Sequence, residues 1–186
     1  MVKSKKTAIF LDRDGTVIYD VGYPKDPGEV QLLPGVVEAL SKLQKYGFYL
    51  VIVSNQSGVG RDIITKEEAK QVHDKVISIL NENGVRLDAA YYCPHLPEDM
   101  CQCRKPMPEL LFRAAKEFDI DLVNSFMIGD KQIDIEAGKN AGCNTILLRV
   151  PPLSGIDSGE ANYIATNWEE IVKYILFRID KGYSEV

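Results

Sequence analysis

The feature that most constrains the fold is a set of short, predominantly apolar runs of strand length, separated by longer amphipathic stretches. The runs cover 7–11, 48–54, 89–93, 125–129 and 144–150, with a shorter one at 162–165. They are rich in Val, Ile and Tyr and do not alternate apolar with polar, so they fit strands of a parallel sheet covered on both faces. Helices are expected between them. Pro34-Gly35 opens one that ends near Tyr46, with Gly47 as its stop. Thr65-Lys66-Glu67-Glu68 is a capping-box pattern that opens a helix to about Asn83. Pro108 suits the first turn of a helix ending near Phe118. Another helix starts after Gly129-Asp130 and stops near Gly142. Thr166-Asn167-Trp168-Glu169 reads as a second capping box, opening a C-terminal helix over 167–181. This strand–helix alternation predicts a three-layer α/β domain with a parallel sheet. The 186 residues suit a single domain, 1–186. The segment 151–159 is expected to be a loop and the tail after Gly182 to be loose.

In such sheets ligands bind beyond the carboxyl ends of the strands, so the residues just past each strand matter most. After the first run comes Asp12-Arg13-Asp14-Gly15-Thr16, and after the second Ser54-Asn55-Gln56-Ser57-Gly58. After the third comes a Cys/His cluster and then Arg104-Lys105-Pro106; after the fourth, Asp130-Lys131-Gln132-Ile133-Asp134. Carboxylates at i and i+2 on extended backbone share a side, so Asp12 and Asp14 can serve one site. A carboxylate can attack phosphorus, and a second can pass a proton to the leaving oxygen. An Asp-rich turn after a strand would also account for both. Attack by one anion on another needs charge cancelled, and magnesium prefers oxygen ligands; Asp130 is the further ligand expected. Helix capping would explain Asp130 as well. Asp134, one turn on, suits a metal-bound water or the orientation of a lysine. Ser54 and the Asn55 backbone can hydrogen-bond phosphate oxygens, and Lys105 can supply a fixed cation, although a single lysine is more commonly a surface residue. The side chain of Arg13 should point away from both neighbouring carboxylates, making it structural or a substrate contact.

Asp12-x-Asp14-Gly15-Thr16, Ser54-Asn55, Lys105 and Gly129-Asp130-x-x-x-Asp134 resemble, in order, the four motifs of the haloacid dehalogenase-like phosphatases. The resemblance implies a Rossmann-like α/β/α core, Asp12 as nucleophile and Asp14 as general acid and base. It implies magnesium on the Asp12 carboxylate, the Asp14 carbonyl and Asp130, with phosphate bound by Ser54 and Lys105. Asp12-Arg13-Asp14-Gly15-Thr16, Ser54-Asn55-Gln56-Ser57-Gly58, Cys93-Pro94-His95 and Cys101-Gln102-Cys103-Arg104-Lys105-Pro106 look like one branch of that superfamily. It holds the D-glycero-D-manno-heptose bisphosphate 7-phosphatases and the histidinol-phosphate phosphatases.

Cys93, His95, Cys101 and Cys103 bring together three of the four cysteines and one of the two histidines. Four such donors suit closed, tetrahedral, structural zinc, which would pin the loop 93–103 and fix Arg104 and Lys105; a group of free thiols is the plainer reading. No cap domain is expected, because helix and strand fill much of the short interval from Asp12 to Ser54. Arg104 and Lys131 are candidates for gripping a second phosphate. Asn55, Gln56, Ser57 and the loop Tyr19-Asp20-Val21-Gly22-Tyr23 would shape a sugar pocket. The Asp20-x-Gly22-Tyr23 loop, Ser57-Gly58 and Lys131 look like the heptose enzymes, whereas the short cysteine loop looks like the histidinol-phosphate enzymes. Residues expected to touch substrate carry more weight, which makes a heptose bisphosphate the expected substrate and histidinol phosphate the alternative.

The net charge of −5 and the lack of a basic run beyond the N-terminus argue against a nucleic-acid end phosphatase. The presence of Asp14 argues against a non-catalytic phosphate-binding module. The apolar run at 8–11 is too short for a signal-peptide core or a membrane span. The expectation is a cytoplasmic monomer acting on a small phosphorylated metabolite, without nucleic acid or membrane as partner.

Overall fold

The computed structural model describes residues 6–150 and 160–182. The loop expected over 151–159 and the tail expected after Gly182 lie outside the described residues. Six parallel strands form one sheet in the order β3-β2-β1-β4-β5-β6. They are β1 (Ala8–Leu11), β2 (Tyr49–Asn55), β3 (Ala89–Cys93), β4 (Phe126–Gly129), β5 (Asn144–Leu148) and β6 (Tyr163–Ala165). The helices are α1 (Val36–Lys45), α2 (Ser57–Gly60), α3 (Lys66–Glu82), α4 (Glu109–Phe118), α5 (Gln132–Ala141) and α6 (Trp168–Gly182). Of these α-helices only α2, a single turn after β2, was not expected; nor were the 3-10 turns Pro27–Glu29 and Pro97–Asp99.

The sheet is apolar on both faces because alternate side chains point opposite ways. Ile9 and Leu11 face one core, where they meet Leu40 and Leu43 of α1, Val76 and Leu80 of α3, and Ile171 and Ile175 of α6. Ala8 and Phe10 face the other, with Leu111 and Ala114 of α4 and Ala137 and Ala141 of α5. This two-sided burial explains why the strands read as unbroken apolar runs. Between β1 and β2 the described residues form only a 3-10 turn, Pro27–Glu29, and α1, so no cap is inserted there. No helix among the described residues is long and apolar enough to cross a membrane.

The capping box at α3 forms as expected. Thr65 Oγ1 accepts from the Glu68 N–H at 3.1 Å, and the Glu68 carboxylate accepts from the Thr65 N–H at 2.7 Å. At α6 the frame is shifted by one residue. Asn167 Oδ1 accepts from the Glu170 N–H at 2.9 Å, and Glu170 reaches back to the Thr166 N–H at 2.7 Å. Glu169, the acid expected in that role, instead pairs with Lys173 on the surface. Asn and Thr both cap well, so local sequence did not separate the two frames.

Strand order places β1 between β2 and β4, and the chain reverses direction along the sheet there, opening a crevice at the carboxyl ends. The chain leaving β1 turns at once. The Gly15 N–H donates to Ile18 O at 2.8 Å and the Val17 N–H to Arg13 O at 2.9 Å. Trp168, at the start of α6, is buried beneath this turn and its Nε1 donates to Thr16 O at 3.1 Å. Gly15 has φ +85°, and a Cβ there would lie 2.4 Å from Asp130 Oδ2. Glycine thus meets two demands, a left-handed backbone and the approach of a carboxylate from the next strand. Gly15→Ala is expected to destabilise the protein by about 1–2 kcal/mol in denaturant unfolding, as the Asp130 carboxylate is displaced.

Candidate active site

The carboxyl ends of β1, β2 and β4 and the loop before α4 converge on a cleft of about 320 Å³. From β1 come Asp12 and Asp14, then Asp20, Gly22 and Tyr23. From β2 come Ser54, Asn55, Gln56 and Ser57, and opposite them stand Arg104, Lys105, Lys131 and Asp134. All the sequence candidates for this site line the cleft except Arg13, Tyr19, Val21 and Asp130.

Lys105 lies at the bottom and is 2% exposed. Its Nζ donates to Asp12 Oδ1 at 2.7 Å and to Val53 O at 2.7 Å, and pairs with Asp134 Oδ1 at 2.6 Å. Burial disfavours its charge, but Asp12 and Asp134 outweigh burial and raise its pKa. It is therefore a fixed cation and not a surface lysine. Asn55 holds it in place: Oδ1 accepts from the Lys105 N–H at 3.0 Å, and Nδ2 donates to Lys105 O at 3.1 Å. The Asn55 side chain thus serves the lysine backbone, a role its position in the sequence did not signal.

Asp12, Asp130 and Asp134 each offer a carboxylate oxygen, all within 4.8 Å of one another. Lys131, not Asp130, occupies the N-cap of α5, and its N–H donates to Asp134 Oδ2 at 3.0 Å. Asp130 is therefore not spent on capping. Its Oδ1 is buried with no hydrogen-bond partner. Burial, and then repulsion from Asp12 and Asp134, push its pKa up to about 7 against the pull of Lys131. The buried Lys105 ammonium pairs with Asp12 and Asp134 only, and the half-exposed Lys131 lies 4.0 Å from Asp130 Oδ2, so the cluster is short of positive charge. An orphaned oxygen among oxygen donors fits a hard divalent cation.

Asp14 faces the cleft beside them. Burial raises its pKa, Arg13 lowers it, and Asp12 raises it, with a net upward shift. Arg13 is the clearest departure from expectation. Its side chain does not point away from Asp14 but donates to it from Nε and Nη2, both at 3.0 Å. At 1% exposure Arg13 lies behind the cleft wall, out of a substrate's reach. Gln56 lines the cleft, but both its amide hydrogens are spent, on Asp14 Oδ2 at 2.9 Å and Ser54 Oγ at 3.0 Å. It therefore has no donor free for a sugar hydroxyl.

At the mouth, Lys131 Nζ pairs with Asp20 Oδ2 at 2.9 Å, while Asp20 Oδ1 accepts from the Gly22 N–H. Tyr23 packs on Gly58, where a Cβ would lie 2.6 Å from the Tyr23 ring. Tyr19 is 44% exposed and does not line the cleft. Arg104 Nη1 donates to His95 O at 3.1 Å, tying the cleft to the cysteine loop.

In that loop the Sγ atoms of Cys93, Cys101 and Cys103 lie 3.2–3.6 Å apart, and His95 Nδ1 is 3.5 Å and 3.3 Å from two of them. Tetrahedral ligands about 2.3 Å from a metal are separated by roughly 3.7 Å, so the donor set and its spacing fit a closed metal site.

Comparison with known proteins agrees with this architecture. The family model described as HAD-hydrolase-like matches residues 102–161. The D-glycero-beta-D-manno-heptose-1,7-bisphosphate 7-phosphatase of Pasteurella multocida is 40% identical over 178 residues, covering 91% of this chain and 97% of that protein. The protein of that name from Helicobacter pylori (strain J99) is 42% identical over 155 residues, covering 82% and 88%. The crystal structure of the D,D-heptose 1,7-bisphosphate phosphatase of B. bronchiseptica complexed with magnesium and phosphate superposes with a TM-score of 0.80 at 30% identity, covering 93% of this chain and 99% of that one. The chain belongs to the haloacid dehalogenase-like phosphatases, within the branch that holds the heptose bisphosphate phosphatases.

Proposed function

We propose that this protein is a magnesium-dependent phosphatase that removes the 7-phosphate of D-glycero-D-manno-heptose 1,7-bisphosphate through an aspartyl-phosphate. The observation that carries the reading is Asp12 beside a buried Lys105 and the orphaned Asp130 carboxylate, in a chain 37–42% identical to proteins of that name. Asp12, Asp130 and the Asp14 carbonyl would hold magnesium, which would supply the positive charge that offsets nucleophile and phosphate.

The chain's own groups do the rest. Asp12 attacks phosphorus, forming a P–O bond as the bond to the C7 oxygen breaks. Asp14 gives its proton to that oxygen, a role helped by the upward shift that burial imposes on its pKa. Asp14 then takes a proton from water as the water oxygen bonds to phosphorus and Asp12 is released. Lys105 and Ser54 hold the phosphoryl oxygens, and Asp134 keeps Lys105 in place. Phosphate monoesters hydrolyse so slowly unaided that these groups must jointly lower the barrier by on the order of 20 kcal/mol. Arg104 and Lys131 stand at the mouth to hold the second phosphate, Lys131 exchanging Asp20 for it.

Cys93, His95, Cys101 and Cys103 are proposed to hold zinc, which fixes the backbone that anchors Arg104. Reduced cysteines in a metal-ligating set suit the cytoplasm.

The deciding experiment compares kcat/KM, with magnesium, for D-glycero-D-manno-heptose 1,7-bisphosphate and L-histidinol phosphate. The heptose ester is expected to lead by about a hundredfold, about 2.7 kcal/mol of discrimination; a lead for histidinol phosphate would overturn the substrate and leave the chemistry. Asp12→Asn is expected to remain folded and to lose turnover, and full activity in that variant would refute the covalent route. Removing the loop metal with a chelator, then restoring magnesium, is expected to lower kcat/KM for the bisphosphate. A chelated, folded protein with unchanged kinetics would count against any role for that loop in substrate binding.

A further inference from the structure

The buried contacts of Arg13 and Gln56 are not explained by phosphate binding or metal binding. Arg13 joins Asp14 by two parallel hydrogen bonds, Nε to Oδ1 and Nη2 to Oδ2, each 3.0 Å. A guanidinium held to a carboxylate in this fork fixes the plane of the carboxylate. Gln56 Nε2 adds a bond to Oδ2 at 2.9 Å, and its Oε1 accepts from Arg13 Nη2 at 3.0 Å. The three side chains therefore close a ring of hydrogen bonds.

A carboxylate oxygen accepts through two in-plane lone pairs. Oδ2 spends both, on Arg13 and Gln56, whereas Oδ1 spends one, on Arg13 Nε. Only Oδ1 keeps a lone pair able to carry a proton. We propose that Arg13 and Gln56 are positioning residues that lock the plane of the Asp14 carboxyl and reserve Oδ1 as the oxygen that exchanges a proton with the reacting group. In the first half-reaction the Oδ1 proton moves to the leaving oxygen as its bond to phosphorus breaks and the Asp12–phosphorus bond forms. In the second, a water proton moves to Oδ1 as the water oxygen bonds to phosphorus and the Asp12 bond breaks.

A role confined to stability fits less well. Arg13 Nη1 is buried with no hydrogen-bond partner, while the guanidinium lies 6.0 Å from the Tyr92 ring centroid. An unpartnered buried donor costs stability, and a simple apolar side chain would avoid that cost.

The inference rests on the phosphatase reading, and the leaving group separates the two. A nitrophenolate departs without a proton, but a sugar alkoxide needs one. The experiment measures single-turnover release of the alcohol, with magnesium and enzyme in excess. The substrates are the heptose bisphosphate and p-nitrophenyl phosphate, and the proteins are wild type, Asp14→Asn, Arg13→Lys and Gln56→Met. Arg13→Lys and Gln56→Met are expected to slow sugar release about tenfold to a hundredfold more than nitrophenol release, within the range a general acid contributes. Equal slowing on both esters, or none on either, overturns the proposal. Gln56→Met removes no charge and carries the test if Arg13→Lys does not fold, with Gln56→Asn as its shorter counterpart. Asp14→Asn tests the parent reading: equal losses on both esters would mean that Asp14 is not the proton donor. If wild type prefers another alkyl phosphate, the same comparison is made on that ester, and the clamp is tested although the substrate has changed.

Discussion

Lys105 places a full charge where almost no water reaches, and it is held there only because Asp12, Asp134 and the Val53 carbonyl all point at it. An ammonium buried in this way is tolerated when it is paired and hydrogen-bonded, and its removal would strand two carboxylates. The three partners come from β1, β2 and α5, and the lysine comes from the loop between β3 and α4. One ion cluster thus ties four separate parts of the chain. Asn55 strengthens the tie by gripping the lysine backbone from both sides.

The same cluster explains why the site is left wanting a cation. The ammonium satisfies Asp12 and Asp134 but does not reach the orphaned oxygen of Asp130. Close approach of Asp130 is possible because residue 15 has no side chain. The division of labour is electrostatic: a permanent charge at the bottom, a charge deficit above it, and a separately clamped carboxyl to one side. Each acid sits near the others yet has a different environment, which lets chemically similar groups take different parts in one reaction.

Much of this was legible in the sequence because the cues are local. Strands buried on both faces read as apolar runs; Asp12, Asp14, Lys105 and Asp130 each stand just past a strand or in a connecting loop, and Ser54 lies at the carboxyl end of β2. The cysteine cluster was legible from ligand type and spacing. What could not be read is set by contacts between distant parts of the chain. Arg13 turns toward Asp14 because Gln56, 43 residues away, meets its guanidinium. Asn55 turns toward Lys105 across 50 residues. Neither pairing leaves a trace in periodicity or in nearest neighbours, and residues expected to contact substrate prove to be occupied with one another. The shifted cap at α6 escaped for another reason, since Thr166 and Asn167 are both competent and only packing chooses between them.

The bond from Trp168 Nε1 to Thr16 O joins residues 152 apart, and it has a consequence for the order in which the protein is made. During synthesis the loop that follows Asp12 emerges well before the indole that supports it, which is added 152 residues after Thr16. Until then the turn after Asp12 lacks its buried prop, and the α1 face of the sheet lacks the part of its cover that α6 supplies. A nascent chain that has not yet reached α6 therefore carries Asp12 and Asp14 without the contact that props their turn.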